Sequence, residues 1–404
     1  MNPPLKLVEY FVDKYPYLDK QPVPVEPYIS PEYFEKEREH VFKKSWLNVA
    51  REEDLPNPGD YFVKEIEIFK TSILVMRGLD GNIRAFHNIC RHRGNKLVYN
   101  EGPGNAKVIS CRFHGWSYGN EGQLRFIPAE EQSYGINKNS YDLVPLGCDT
   151  WAGFVFIHYE AQPKEGLKDY LGELHDRYKD YPFAQMQCIS SFSAVLKANW
   201  KTAEDAFQEA MHVPYIHGIT MGDAFVNSEN PHCHITWAEL YKRHRTGSVF
   251  GAPQQGRNLF PTERVAFTEY AGFTQGADEN GAGLPGVNPS KMDNWAFDIN
   301  VVFPNVFIDP GTSQFFTMHF WPIDVHTTRW EFRLYMFPAD KPAQKVAQKY
   351  TDVVMRDAGL EDLSTVETTQ KALESGVLKT LPYSDQEIML RHNLYVVEDA
   401  IKSA

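Results

Sequence analysis

The sequence predicts a two-domain α+β protein, and three features carry that prediction. At 404 residues the chain exceeds what one hydrophobic core normally organises. Between Tyr61 and Tyr159, short β-rich runs alternate with Gly, Asn and Asp turns, as in a small antiparallel domain. Beyond residue 180, β-type runs alternate with helical stretches, and an α+β domain is the simplest reading.

Composition narrows the function classes. The chain has 41 basic and 53 acidic residues, a net charge of −12 that disfavours nucleic acid and anionic membrane as partners. No run approaches the ~20 apolar residues that span a bilayer. The start, Met1 to Lys20, is charged and aromatic, unlike an export leader, so a cytoplasmic location is expected. Five cysteines (Cys90, Cys111, Cys148, Cys188, Cys233) are too few and too scattered for a disulfide framework, which turns attention to metal chemistry.

Ser30 followed by Pro31 opens a helix over 31–45. Strands are expected at Tyr61–Phe69, Thr71–Met76, Ile83–Phe86, Lys107–Ser110 and Gly153–His158, with Gly102–Asn105 as a loop. Past a charged boundary at 161–180, strands are expected at Ser191–Leu196, His232–Leu240, Val301–Phe303, Phe315–Trp321 and Trp330–Phe337. Helices are expected near 200–213, 342–357 and 362–374. The Gly- and Pro-rich segment 251–294 reads as a lid-like insertion. The domains are therefore an N-terminal helical segment 1–45, a β domain 46–160 and an α+β domain 161–404.

Two short motifs carry the first chemistry. Cys90-Arg91-His92-Arg93-Gly94 and Cys111-Arg112-Phe113-His114-Gly115-Trp116-Ser117-Tyr118 each follow an expected strand and run into glycine, placing two thiolates and two imidazoles on tight loops. Such a set holds one tetrahedral zinc, or a [2Fe–2S] centre with both thiolates on one iron and both imidazoles on the other. The C-x-H spacing argues against a zinc finger.

The second lies in Asn199-Trp200-Lys201 through His217. Asp205, Glu209 and His212 are spaced i, i+4, i+7 and share one face of a helix, which Pro214 ends, letting His217 approach His212 from the next segment. Two imidazoles and a carboxylate bind Fe(II) as a facial triad with open positions. Periodicity does not select the carboxylate. His232-Cys233-His234 lies in an expected strand with Cys233 opposed to both histidines, a structural arrangement.

These motifs resemble the Rieske non-haem iron ring-hydroxylating oxygenases, catalytic (alpha) subunit, with Arg112 where proline is common. The resemblance runs from about Pro31 to His392. It implies a Rieske antiparallel β domain plus a helix-grip (START-like) catalytic domain, and a homotrimer assembled head to tail. It assigns Cys90, His92, Cys111 and His114 to the [2Fe–2S] cluster, and His212 and His217 to mononuclear Fe(II). Glu361-Asp362 through Gln370 looks like the family's acid-led helix, making Asp362 the third ligand with Glu361 and Asp357 as rivals. Glu209 takes the place of the aspartate that links one subunit's cluster to its neighbour's iron, and Asp205 stands where asparagine is frequent.

The implied activity is O2-dependent hydroxylation of a hydrophobic aromatic, polycyclic, terpenoid or steroid-like compound. Alternatives are a quaternary-amine monooxygenase or oxidative demethylase of the same family, and a non-enzymatic zinc-stabilised or electron-transfer protein. The chain has no nicotinamide or flavin fingerprint, so electrons from NAD(P)H are expected through a separate reductase, with or without a ferredoxin. Ala206 and Met211 are expected to flank the substrate volume, under a lid carrying Leu259, Phe260, Phe267, Tyr270 and Phe273.

Overall fold

A computed structural model describes residues 10–218, 220, 226, 230–250, 260–270, 283–292 and 295–403. The chain divides into two compact units, one of residues 38–172 and one of residues 1–37 with 173–404. The sequence placed these divisions at 45/46 and 160/161. Among the described residues, no helix is long and apolar enough to cross a membrane.

The unit 38–172 is built on β1 (Trp46–Arg51), β2 (Asp60–Ile66), β3 (Thr71–Arg77), β4 (Ile83–His87), β5 (Gly102–Asn105), β6 (Val108–Ser110), β7 (Ser117–Gly119), β8 (Leu124–Phe126), β9 (Pro145–Trp151) and β10 (Phe154–His158). Seven of them form an antiparallel sheet in the order β1-β10-β9-β4-β3-β2-β5, and β6-β7-β8 form a second, three-stranded sheet. Gly102–Asn105, expected as a loop, pairs with Asp60–Val63: β2 supplies a ladder that overrides weak strand propensity.

The other unit holds β11 (Gln187–Leu196), β12 (Ile235–Leu240), β13 (Arg245–Phe250), β14 (Trp295–Val302), β15 (Val306–Pro310), β16 (Gln314–Asp324) and β17 (Thr327–Met336). They make one antiparallel sheet in the order β11-β17-β16-β15-β14-β13-β12. Its register is set by alternation: Trp330, Phe332 and Leu334 are buried, whereas Arg329, Glu331 and Arg333 between them are less so. A one-residue slip would drive those charges into the core. Opposite them on the same face stand Phe320, Met318 and Phe316 of β16.

The described helices include α1 (Pro31–His40), α2 (Trp200–Asp205), α3 (Val213–Ile216), α4 (Pro261–Tyr270), α5 (Pro342–Glu374) and α6 (Ile388–Lys402). Ser30 Oγ accepts the Tyr33 N–H at 3.2 Å, so α1 starts as the sequence implies, but it ends at His40. α5 runs unbroken for 33 residues where the sequence suggested two helices. Gly359 in its middle weakens helical propensity by roughly 1 kcal/mol, yet a Cβ there would sit 3.2 Å from the Trp330 ring, so glycine permits close packing on β17. The segment 251–294 contains the helix α4, so its Gly/Pro content hid a ten-residue periodic stretch. Leu259 and Phe273, and the side chain of Phe267, lie outside the described residues.

Polar contacts fasten α2 and the residues before it to α5. Gln370 Oε1 accepts from the Asn199 N–H at 3.1 Å and the Thr202 hydroxyl at 2.7 Å, while Glu367 Oε1 accepts the Lys197 N–H at 2.9 Å. Asn199 caps α2 by accepting the Lys201 N–H. Lys201 Nζ lies 2.5 Å from Glu37 Oε1, both side chains fully buried, and Trp200 Nε1 donates to the other oxygen of Glu37 at 3.0 Å.

Removing one partner of a buried ion pair costs roughly 3–5 kcal/mol. Lys201→Met should therefore lower the urea stability of this unit by about that amount, and adding Glu37→Leu should recover most of it. Equal destabilisation in the single and double variants would show that the loss comes from packing instead.

Candidate functional site

In the unit 38–172, the two motifs form matching loops. The Cys90 carbonyl accepts from Gly94 N–H at 3.0 Å and Cys90 N–H donates to the Asn95 carbonyl at 2.8 Å. The Cys111 carbonyl accepts from Gly115 N–H at 2.9 Å and Cys111 N–H donates to Trp116 at 2.8 Å. Both turns close through a left-handed residue, Gly94 (φ +74°) and Gly115 (φ +71°), which explains the glycine ending each motif.

The sulfurs are buried, whereas His92 is exposed and His114 half-buried; the His rings lie 4.6 Å apart, and His92 stacks on Trp116 at 4.9 Å. Tyr118 OH lies 3.5 Å from Cys90 Sγ; it also accepts the Arg91 N–H at 3.0 Å, so its own proton is directed at the sulfur. Asn95 Nδ2 donates to Cys111 Sγ at 3.6 Å. Burial pushes the Cys90 thiol up; at Cys111 the N–H groups of Phe113 and His114 outweigh burial and bring it down. The sequence motifs contain Tyr118 but give no sign of its role, and Asn95 went unnoticed beside Gly94.

The second cluster belongs to the unit containing α2 and α5. Among the described residues, one set of three or more His, Cys, Asp or Glu has ligand atoms all within 4.8 Å of one another: His212, His217 and Asp362. Two buried thiols beside two more accessible imidazoles are a donor set that fits a Rieske-type [2Fe–2S] cluster.

Asp362 Oδ1 is 2.8 Å from His217 Nε2 and 3.4 Å from His212 Nε2. It is buried and forms no directed hydrogen bond, because the three atoms face a common point and not each other. The opposite nitrogens are both engaged: His217 Nδ1 donates to Glu361 Oε2 at 2.8 Å, and His212 Nδ1 donates to Glu209 Oε1. This is the carboxylate–histidine–metal arrangement, which fixes the tautomer with Nε2 unprotonated. A cation between Nε2, Nε2 and Oδ1 satisfies an otherwise orphaned buried carboxylate oxygen. Burial opposes charging of His217, but Asp362 and Glu361 together outweigh it and raise its pKa. Thr220 Oγ1 also donates to Glu361, at 2.5 Å. Glu361, a rival for the third ligand, thus holds the His217 ring from its Nδ1 side, and Asp357 pairs with exposed Arg356 at 2.7 Å.

The local backbone departs from the expected single helix. α2 stops at Asp205, the chain turns so that Gln208 Oε1 accepts from Arg245 Nε at 2.5 Å, and Glu209 accepts the N–H groups of Met211 and His212. Pro214 does not end a helix; it sits in the first turn of α3, where its missing N–H has no partner to lose. Asp205 consequently points away from Glu209, accepting from Tyr28 OH at 2.8 Å and Tyr383 OH at 3.1 Å. Burial raises its carboxyl to about 7. His232, Cys233 and His234 precede β12; Cys233 is buried at φ +49° and the two imidazoles lie 5.7 Å apart.

An apolar cavity of about 110 Å³ opens on the His212, His217 and Asp362 side chains. Its walls include Phe207, Phe316, Trp330, Phe332, Met355 and Gly359. Ala206 and Met211 are not among them; with α2 ended, Ala210 takes that place, while Met211 Sδ lies 3.9 Å from Ser384 Oγ.

The family of the chain follows from two matches. Residues 45–145 match the Rieske [2Fe-2S] domain, and residues 183–403 match the ring hydroxylating alpha subunit (catalytic domain). The chain belongs to the ring-hydroxylating oxygenase alpha subunits. It is a Rieske oxygenase terminal component, an oxygen-incorporating oxidoreductase whose cofactors are a Rieske [2Fe–2S] cluster and a mononuclear non-haem iron. Carnitine monooxygenase oxygenase subunit of Acinetobacter pittii is 27% identical over 354 residues, 86% of this chain and 84% of that protein. The large oxygenase component of the naphthalene 1,2-dioxygenase system of Ralstonia sp. is 35% identical over 269 residues, 65% of this chain and 54% of that protein. Among solved structures, a quaternary ammonium Rieske monooxygenase has a TM-score of 0.71 at 23% identity, covering 93% of this chain and 94% of the other. Naphthalene 1,2-dioxygenase from Rhodococcus sp. has 0.70 at 22%, covering 94% of each.

A hydrogen bond to cluster sulfur favours the reduced state. Tyr118→Phe, which deletes one, should lower the midpoint potential by about 40 mV, the one-electron equivalent of ~1 kcal/mol. Protein-film voltammetry of the purified oxygenase measures this; an unchanged potential would show that the hydroxyl does not act on the cluster.

Proposed function

We propose that Cys90, Cys111, His92 and His114 hold the [2Fe–2S] cluster, that His212, His217 and Asp362 hold the mononuclear iron, and that an apolar ring compound is hydroxylated in the adjoining cavity. The observation that carries this reading is the pairing of each imidazole's Nδ1 with a carboxylate while both Nε2 atoms converge on Asp362 Oδ1. When bound there, the iron supplies reductive activation of O2 with externally delivered electrons. Glu209 and Glu361 orient the two imidazoles. Phe207, Phe316, Trp330 and Phe332 exclude water and bind the substrate by apolar contact.

Glu209 also serves as the link to a neighbouring subunit's cluster in a homotrimer, and the electrons come from a reductase, directly or through a ferredoxin. The large component of a naphthalene 1,2-dioxygenase system among the relatives supports an aromatic substrate. Asp205, buried and held by two tyrosines, acts as a proton store. The cavity is smaller than the ~150 Å³ that takes up benzene in an engineered protein core, so a fused-ring substrate requires side-chain movement, for which Met355 is best suited.

A second reading, oxidation of a quaternary amine, is favoured by the aromatic wall and by the resemblance to carnitine monooxygenase over most of the chain. Substrate-dependent O2 uptake with a quaternary amine and with a bicyclic arene distinguishes the two.

His212→Ala, His217→Ala and Asp362→Ala should each lose the mononuclear iron and all oxygenation while keeping the visible absorption of the cluster. Asp357→Ala should retain both. Full turnover by Asp362→Ala would move the third ligand to another acid. Ala210→Phe should slow bicyclic substrates at least tenfold more than single-ring ones, measured as kcat/KM; unchanged relative rates would remove the cavity from the account.

A further inference from the structure

Away from the iron site, the described wall of the cavity is apolar except for Asp309, whose Oδ1 accepts the Asn300 N–H at 2.6 Å, and one indole. That indole is Trp330 on β17, 2% exposed, whose Nε1 is buried with no acceptor among the described residues. An indole N–H can only donate, and a buried one ordinarily finds a partner. Four other buried indoles do so: Trp46 donates to the Glu165 carbonyl at 3.0 Å, Trp200 to Glu37 at 3.0 Å, Trp295 to Asp298 at 2.8 Å and Trp321 to Glu331 at 3.1 Å. Trp330 departs from these four, and it is the one of the five that lines the cavity.

Packing fixes the ring. Phe207 stacks on it with 6.3 Å between centroids and 13° between planes, and Phe192 and Phe332 close on it at 5.9 and 6.0 Å. The Cζ2–Cη2 edge, on the side of the indole that carries Nε1, approaches α5, where a Cβ on Gly359 would stand 3.6 Å from Cζ2 and 3.2 Å from Cη2. Gly359 is itself in the cavity wall, three residues before Asp362 and so about 4.5 Å from it along the helix axis. The side of the ring that carries the N–H is therefore turned toward the helix that presents the iron ligand. The carbonyls of α5 there belong to its own unbroken ladder and leave the donor to something else. A fixed donor in an otherwise apolar binding wall is the arrangement that orients a ligand.

We propose that the indole N–H of Trp330 donates a hydrogen bond to the substrate, which is therefore an apolar ring compound carrying an uncharged acceptor oxygen, a carbonyl or an ether, close to the position oxidised. This rests on the cavity being the substrate site. Neutrality follows from the wall, which holds Glu209, Asp309 and Asp362 and no Lys or Arg among its described residues to balance a substrate anion. A cation has no use for a donor. A hydrocarbon of the same shape leaves the N–H unmatched, and a buried polar group left unmatched by one of two similar ligands is what separates them.

The test removes the donor and keeps the shape, by incorporating benzothienylalanine at position 330 so that sulfur replaces the N–H. Dissociation constants of the holoenzyme for tetralin, 2-tetralone and protonated 2-aminotetralin are measured by equilibrium dialysis. The affinity ratio of 2-tetralone to tetralin should fall at least tenfold from the wild type to this variant, whereas the ratio of the ammonium compound to tetralin should not fall. Trp330→Phe, which also lacks the donor, should lower the ketone ratio in the same direction. A ketone ratio unchanged within threefold in both variants, or an ammonium ratio that falls as far as the ketone ratio, overturns the proposal. Tetralin binding unaffected by Ala210→Trp, or no binding of any probe, defeats the cavity reading, and the proposal with it.

Discussion

Everything at the catalytic centre depends on one buried carboxylate oxygen. Asp362 Oδ1 faces two imidazole nitrogens and is bonded to neither in a favourable direction. Taking an anion out of water without a partner costs several kcal/mol, and a cation at the point where the three atoms converge would offset that cost. The surrounding structure presents that point. Glu209 and Glu361 turn both Nε2 atoms inward from behind, and Asp362 is held in place because Glu367 and Gln370, further along the same helix, grip the backbone at Lys197 and Asn199. The acid-led helix thus has two parts: one presents Asp362 to the two histidines, and the next fixes the segment that leads to them.

The two cofactors are built by contrasting means. The cluster loops are local: each Cys/His pair and its glycine lie within a few residues, and hydrogen bonds inside the turn set the geometry. The iron site is assembled from residues over a hundred positions apart and relies on long-range polar contacts of α2 with α5 and with Glu37. This difference determines what a single sequence reveals. C-R-H-R-G and C-R-F-H-G-W-S-Y show candidate ligands and turn chemistry together, so the two matching loops are legible in the sequence. Spacing and Pro214 let His217 approach His212, but their assignment to the iron, like the choice of Asp362 among several acids, comes from family resemblance.

What stayed hidden has physical reasons. The i, i+4, i+7 spacing of Asp205, Glu209 and His212 describes a helix that does not form, because Gln208 is drawn to Arg245 and Glu209 folds back onto N–H groups that a helix would use internally. These partners lie far off in sequence or arise from the turn itself, and periodicity cannot register them. Likewise the helices expected at 342–357 and 362–374 are one, with Gly359 between them packed against the Trp330 ring. Asp309 carries no motif at all; it lines the cavity because β15 aligns it with the aromatic residues of β16 and β17, an alignment known only once the sheet is paired. Ala210 replaced Ala206 as a cavity residue for the same reason that the helix ended early.

The most direct test of the central claim is anomalous diffraction at the iron edge from crystals of the iron-loaded oxygenase. The account predicts three iron positions per chain. One lies within bonding distance of His212 Nε2, His217 Nε2 and Asp362, with Glu361 and Glu209 still on the Nδ1 atoms. A pair lies between the Cys90/Cys111 sulfurs and the His92/His114 rings. An iron bound by Glu361 or Glu209 in place of Asp362, or a single ion shared by the four Cys/His ligands, would contradict it.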